Sequence, residues 1–197
     1  MSTRGFVGFV VDGTEKIAYN HSDSYPDGLG ADVLGWLRKA HLGGARRQAA
    51  ELRVVEADSK PSPEGIERLR SYAHLGVGTQ QVDDWYVLLR HTQGNPAAML
   101  DAGVIEDASG FPADSLFAEW GYVVDFDAET FEVYQGFQNA RHSKGRFANR
   151  SDVDDSRRDD YNPVALVASW PLHALPTDKD FIQAVDPSDD ESDDGPF

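Results

Sequence analysis

The chain contains no cysteine. That excludes disulfides, thiolate metal sites, iron–sulfur clusters and a cysteine nucleophile. Long apolar runs are also missing. Stretches such as Phe6 to Val11 fall far short of the roughly 20 residues needed for a membrane-spanning helix, and no signal-peptide pattern precedes that run. A cytoplasmic protein with no membrane association is the expectation. Positive charge is scarce, with 18 Lys and Arg against 34 Asp and Glu and a formal net charge of -16. Such a field repels phosphate backbones and argues against nucleic acid as a partner. The same charge suits a solubility-favouring surface or a bait for a basic protein partner.

What is present is enough for one folded domain. A chain of 197 residues hides roughly 70% of its unfolded surface without staples. Residues 1–185 are expected to form a single domain. Residues 186–197 carry Asp186, Asp189, Asp190, Glu191, Asp193 and Asp194 and no base. With so little apolar content, that tail is expected to be disordered.

Arg4 to Val11 is a β-rich apolar run, Asp12-Gly13 is a hairpin turn signal, and Glu15 to Asn20 reads as the return strand. A polar loop from His21 to Gly30 follows, rich in Ser, Asp, Pro and Gly. Asp32 to His41 has helical periodicity, with Gly43-Gly44 expected to end it. Ala45 to Val55 starts as a helix, and Val54 and Val55 either finish it or form a short strand. Ser62-Pro63-Glu64 opens another helix. Asp83 to Thr92 predicts a helix with acids at its positive end. Asn95-Pro96 caps a short one that Gly103 closes. A second hairpin is predicted from Trp120 to Phe126 and Thr130 to Phe137. Asn139 to Asp160 is a polar loop, Val164 to Ser169 a fifth strand, and Asp180 to Val185 a last helix. Paired hairpins and clustered helices predict an α+β fold, with an antiparallel sheet of about five strands and helices packed on it.

Chemistry concentrates at the start. Arg4 opens the first strand and Asn20 closes the second, so the two share one sheet edge, with His21, Asp23, Ser24 and Tyr25 just beyond. A hydroxyl, a guanidinium, an amide and a carboxylate can converge there, which is the repertoire of an acyl-transfer site. The stretch from Thr3-Arg4-Gly5 through Asp12-Gly13 to Asn20-His21-Ser22-Asp23 resembles the opening of the N-terminal nucleophile hydrolases. The nearest likeness is to their conjugated bile acid hydrolase and dipeptidase branches. Those families use the free α-amine of an N-terminal residue as base for its own side chain. The resemblance implies an amide-bond hydrolase or transferase acting on a small-molecule or peptide amide. Thr3 would be nucleophile, or Ser2 if only methionine is removed. Arg4, Asn20 and Asp23 would complete the catalytic set. Substrate contacts would come from His21 and Tyr25, and from Asn139, Arg141 and His142 after the second hairpin. The motifs Thr3 to Gly5, Tyr19 to Pro26 and Trp120 to Asp127 also resemble a group of bacterial and phage proteins of no assigned activity.

The same residues have a structural alternative. Asp23, Ser24 and Tyr25 can cap a turn, and Arg4 can pair with Asp23 to pin the hairpin. A non-enzymatic reading then stands beside the first: an acidic binding or inhibitor protein, for example a phage-encoded modulator of a host factor. No metal or cofactor is predicted. The six histidines (His21, His41, His74, His91, His142 and His173) lack paired ligand spacing. Asp125, Asp127 and Glu129 lack the glycine and distal glutamate of a calcium loop and read as a hairpin turn. Leu75 to Gly78 follows a predicted helix, where a nucleotide fingerprint would follow a strand.

Overall fold

The computed structural model describes residues 3–150 and 161–185. Ser2, residues 151–160 and the acidic segment 186–197 lie outside the described residues, and so do the expectations placed on them.

Gly5–Val11 (β1) and Thr14–Asn20 (β2) pair antiparallel through a turn at Asp12 and Gly13, whose φ values are 51° and 72°. Two positive φ angles define the turn whose twist matches a hairpin. A short π-helix, Pro26–Gly30, leads into Ala31–Leu37 (α1), which is followed by Leu42–Glu51 (α2). Gly43 and Gly44 were expected to end a helix, but they lie in the first turn of α2. His41 caps that turn by accepting from the Gly44 amide at 2.9 Å. Arg53–Val55 (β3) is a strand. Pro63–Leu69 (α3) starts at Ser62, whose hydroxyl accepts from the Gly65 amide. Trp85–Leu88 (α4) is shorter than predicted, passing into a 3-10 turn at Arg90–Thr92. Asn95 caps Pro96–Ala102 (α5), and Gly103, with φ 66°, ends it. Val104–Glu106 (β4) pairs in parallel with β3. Trp120–Asp125 (β5) and Thr130–Gln135 (β6) form the second hairpin. Ala165–Pro171 (β7) pairs antiparallel with β6, and Asp178–Val185 (α6) closes the described chain.

The fold is α+β, with a five-stranded sheet in the order β2-β1-β5-β6-β7. The expected antiparallel sheet is corrected to a mixed one, because β1 and β5 run parallel, Gly5 facing Trp120. Parallel neighbours need a crossover, and residues 21–119, with five helices, supply it. The arrangement sets both hairpin turns side by side. Asp127 of the second turn accepts from the Asp12 and Gly13 amides of the first at 3.1 and 2.8 Å, and Arg46 bridges Asp12 and Asp127.

One sheet face carries Val7, Phe9, Tyr122, Val124, Phe131 and Val133 and is buried together with residues of α1, α2, α5 and α6. The other carries Phe6, Ile17, Val123 and Tyr134, with Phe147 packed on them. Phe147 meets Phe6 and Tyr134 edge-on, at 5.6 and 4.7 Å between centroids. Arg146, in the same loop, joins Asp125, Glu132 and Glu15. Residues 144–150 are thereby pinned to the sheet. Among the described residues no helix is long and apolar enough to cross a membrane.

Candidate functional site

Strand direction decides what meets at the end of the sheet away from the two turns. Gly5 faces Asn20 on one side and Trp120 on the other, and Trp120 faces Gln135. The starts of β1 and β5 and the ends of β2 and β6 therefore share one edge, as expected for Arg4 and Asn20.

On the helix-covered face, Thr3, Asn20 and Ser24 are buried. The Ser24 amide donates to the Thr3 carbonyl at 3.3 Å. Asn20 Nδ2 donates to the Ser22 carbonyl at 2.6 Å and to Ser24 Oγ at 2.8 Å. Tyr122 donates its hydroxyl to the Ser24 carbonyl at 2.9 Å. Burial first, then Asp27 and Asp23, hold that phenol well above its ordinary pKa, so it stays a donor. A Cβ on Gly5 would lie 2.3 Å from the Trp120 carbonyl oxygen and 2.8 Å from Ser24 Oγ, so only glycine lets the loop sit this close. Asp23 turns the chain with φ 57°, and its side chain and that of Tyr25 are exposed. Among the described residues, Thr3 Oγ1 is the buried side-chain polar atom left without a hydrogen-bond partner.

The other face holds a second group. The Phe6 and Tyr19 pairing and strand alternation place Arg4, Phe6, Tyr19 and His21 on this side. Tyr19 hydroxyl and His21 Nδ1 share a hydrogen bond at 3.1 Å. His21 meets Tyr86 edge-on at 6.3 Å, and the Arg90 guanidinium lies 5.5 Å from the centre of the same Tyr86 ring. The expected Arg4–Asp23 ion pair does not form. Arg4 lies instead over the Phe117 ring at 5.3 Å, while its amide donates to Glu119 Oε1. Burial, Arg90 and then Arg4 push the His21 pKa down. Burial raises Tyr19, and Arg4 and Arg90 oppose that rise.

Beside β2 lies a cavity of ≈ 40 Å³ lined by Tyr19, Tyr86, Gln93 and Glu106 among others, room for about three waters. Burial, then Asp84, raises the Glu106 pKa. A larger open groove of ≈ 560 Å³ lies between α1, α2 and α5. Three of its polar residues are engaged with one another or with the backbone: His41 caps α2, and Tyr72 donates to Asp101 at 2.5 Å.

The residues after the second hairpin stand apart. Asn139 and Arg141 are exposed. They follow β6, which is two strands from β1, roughly 10 Å away at ordinary strand spacing. His142 is used structurally, with Nε2 donating to the Pro163 carbonyl at 2.8 Å and Nδ1 accepting from the Lys144 amide at 3.1 Å. Among the described residues no group of three or more His, Asp or Glu is placed to hold a metal ion. Asp125 is a turn former, its Oδ1 accepting from the Asp127 and Ala128 amides.

Sequence reasoning reached Thr3, Arg4, Asn20 and His21 but missed Tyr86, Arg90 and Glu106. The i, i+4 spacing of Tyr86 and Arg90 on one helical turn was the available signal. Nothing local indicated that this turn faces His21. Comparison with protein-family models, with curated proteins and with solved structures finds no match to this chain in any of the three.

Proposed function

We propose that the chain is a small amide-bond hydrolase or transferase that works from the start of β1. Its nucleophile is the residue that processing leaves first, Ser2 or Thr3, and its α-amine acts as base. The observation that carries the reading is the Thr3 hydroxyl, buried and unpartnered in the middle of a bonded network. Leaving such a group unsatisfied costs roughly 1–3 kcal/mol, and a hydroxyl reserved for a reacting partner accounts for it. Asn20 acts as a positioning residue through Ser22 and Ser24. On this reading Arg4 and His21, on the opposite sheet face from Thr3, and the exposed Asp23 and Tyr25 supply the substrate contacts, with Asn139 and Arg141, beyond β6, as more distant candidates. The likeness to N-terminal nucleophile hydrolases in fold belongs to this same proposal, supported by the opening hairpin.

Intact-mass measurement on protein from its native host tests the reading. Loss of residues up to Met1 assigns Ser2, and loss up to Ser2 assigns Thr3. A native chain that retains Met1 overturns the mechanism.

A second reading, an acidic binding protein, draws on the exposed aromatics Tyr25, Phe117, Phe137 and Tyr161. Phe137 holds φ 55°, a costly conformation for an aromatic residue. That reading expects a complex with a basic protein that weakens with salt. Binding unchanged both by salt and by deletion of residues 186–197 would sink it.

A further inference from the structure

The cavity beside β2 has no part in the proposed reaction. β4 brings Glu106 to it, because the Ala108 amide donates to the Ile17 carbonyl of β2 at 3.0 Å. Strand alternation puts Glu106 on the β4 face that carries Val104, and Val104 packs with Trp85 and Leu89, which also line the cavity. Most polar side chains there are used inside the protein. Tyr19 and His21 share a hydrogen bond, Trp85 Nε1 donates to Ser59 Oγ, Thr92 donates to the Leu89 carbonyl, Gln93 accepts from Arg90, and Asp107 accepts from Ser109. The Glu106 carboxylate has neither a hydrogen bond nor an ion pair among the described residues. Glu15, Asp83, Asp84, Asp107, Glu119, Asp125 and Glu132 are likewise not fully exposed, yet each of them accepts at least one.

We propose that this cavity binds a small primary ammonium group, with the Glu106 carboxylate as its counter-ion and the Trp85 and Tyr86 rings among its walls. The inference does not rest on the hydrolase reading.

A half-buried carboxylate without a partner keeps its desolvation cost uncompensated, and a cation within reach removes it. Burial and then Asp84 both act against the ionised form of Glu106, and a bound ammonium offsets both. The nearby guanidiniums leave that place open. Arg53 lies over the Trp85 ring at 5.9 Å and Arg90 over the Tyr86 ring at 5.5 Å, and neither pairs with Glu106. Those contacts follow from the negative potential of an aromatic face, which favours a cation in the cavity as well. The volume sets the size of the ligand. At ≈ 40 Å³ the cavity holds about three water-sized atoms, which suits an ammonium nitrogen with two carbons and is too small for a guanidinium or a quaternary ammonium. A metal ion would lack ligands, since no group of three or more His, Asp or Glu converges among the described residues. The net charge of -16 raises the concentration of any cation near the surface.

The test is an NMR titration of the full chain with ethylammonium chloride. Ethanol serves as its uncharged counterpart and potassium chloride as a bare cation, with ionic strength held constant by sodium chloride. Ethylammonium should shift the Trp85 indole and Tyr86 resonances and saturate with a dissociation constant no tighter than about 1 mM, the limit for three non-hydrogen atoms. Ethanol and potassium ion should each bind at least about tenfold more weakly. Glu106→Gln keeps the shape of the cavity and should weaken ethylammonium at least about tenfold, while the exposed Glu51→Gln should leave it unchanged. Tyr86→Leu should weaken it about two- to fivefold through loss of the ring. Resonances far from β2 verify that each variant folds, and if Glu106→Gln does not fold, the ethanol and Tyr86→Leu comparisons decide. N-acetyl-lysine methylamide carries the same ammonium: tighter binding than ethylammonium assigns the site to a protein lysine, weaker binding to a free amine. Equal binding of ethanol or potassium ion, an unaffected folded Glu106→Gln, or no saturable shift up to about 100 mM overturns the proposal.

Discussion

Replacing Asn20 by Asp changes almost no volume and reverses the sense of two hydrogen bonds. Asn20 is 6% exposed, and its Nδ2 donates to the Ser22 carbonyl at 2.6 Å and to Ser24 Oγ at 2.8 Å. Ser24 can turn its hydroxyl to donate, but the Ser22 carbonyl cannot. Asn20→Ala loses two bonds of about 1 kcal/mol net each, for roughly 2–3 kcal/mol with the desolvated partners. Asn20→Asp places an ionised oxygen against a carbonyl, an uncompensated buried charge costing about 3–5 kcal/mol. Folding would then raise the new carboxyl's pKa. The folded variant holds its proton at pH values where the unfolded chain has released it. Stability relative to wild type therefore falls as pH rises through that window and recovers as pH falls toward about 4. Urea denaturation of wild type, Asn20→Ala and Asn20→Asp at pH 5 and pH 7.5 measures both effects. The reasoning fails if Asn20→Asp is no less stable than Asn20→Ala at pH 7.5, or if its deficit does not change with pH.

Two further expectations concern the hairpin that carries the site. Lys16 is buried and donates from Nζ to the carbonyls of Ala49, Ala50 and Leu52 at 2.8, 2.8 and 2.7 Å, closing the C-terminal end of α2. Lys16→Met keeps the stem and orphans those carbonyls, so about 2–4 kcal/mol should be lost; a change in guanidinium midpoint worth less than about 1 kcal/mol would contradict this. His21 is depressed by burial, Arg90 and Arg4, so the unfolded chain takes up this proton first as pH falls below about 6.5. Its contribution to stability should decline from there down to the folded-state pKa. His21→Gln should flatten that part of the pH–stability profile, and an unchanged slope would count against the assignment.

Local chemistry explains which parts of the fold could be read in advance. The Asp12-Gly13 turn, the Ser62 and Asn95 caps and the Gly103 stop each depend on residues within a few positions, so β1, β2, α3 and α5 were legible. Gly43 and Gly44 misled because a glycine pair suits a helix end, while the His41 side chain, accepting from the Gly44 amide, makes the same pair a beginning. Strand β4 escaped because three residues carry no periodicity, and its order comes from pairing with β3.

The sequence by itself determined the hairpins, the caps and the polar set at the start of β1, because hydrogen-bonding and backbone preferences act over short range. Tertiary structure alone decided that β1 lies parallel to β5. It also decided that Arg4 does not pair with Asp23, that Thr3 is sealed without a partner, and that Tyr86, with Arg90 against its ring, reaches His21 across more than sixty residues of chain. Those outcomes depend on which apolar faces pack together, and no short stretch of sequence encodes a partner that distant.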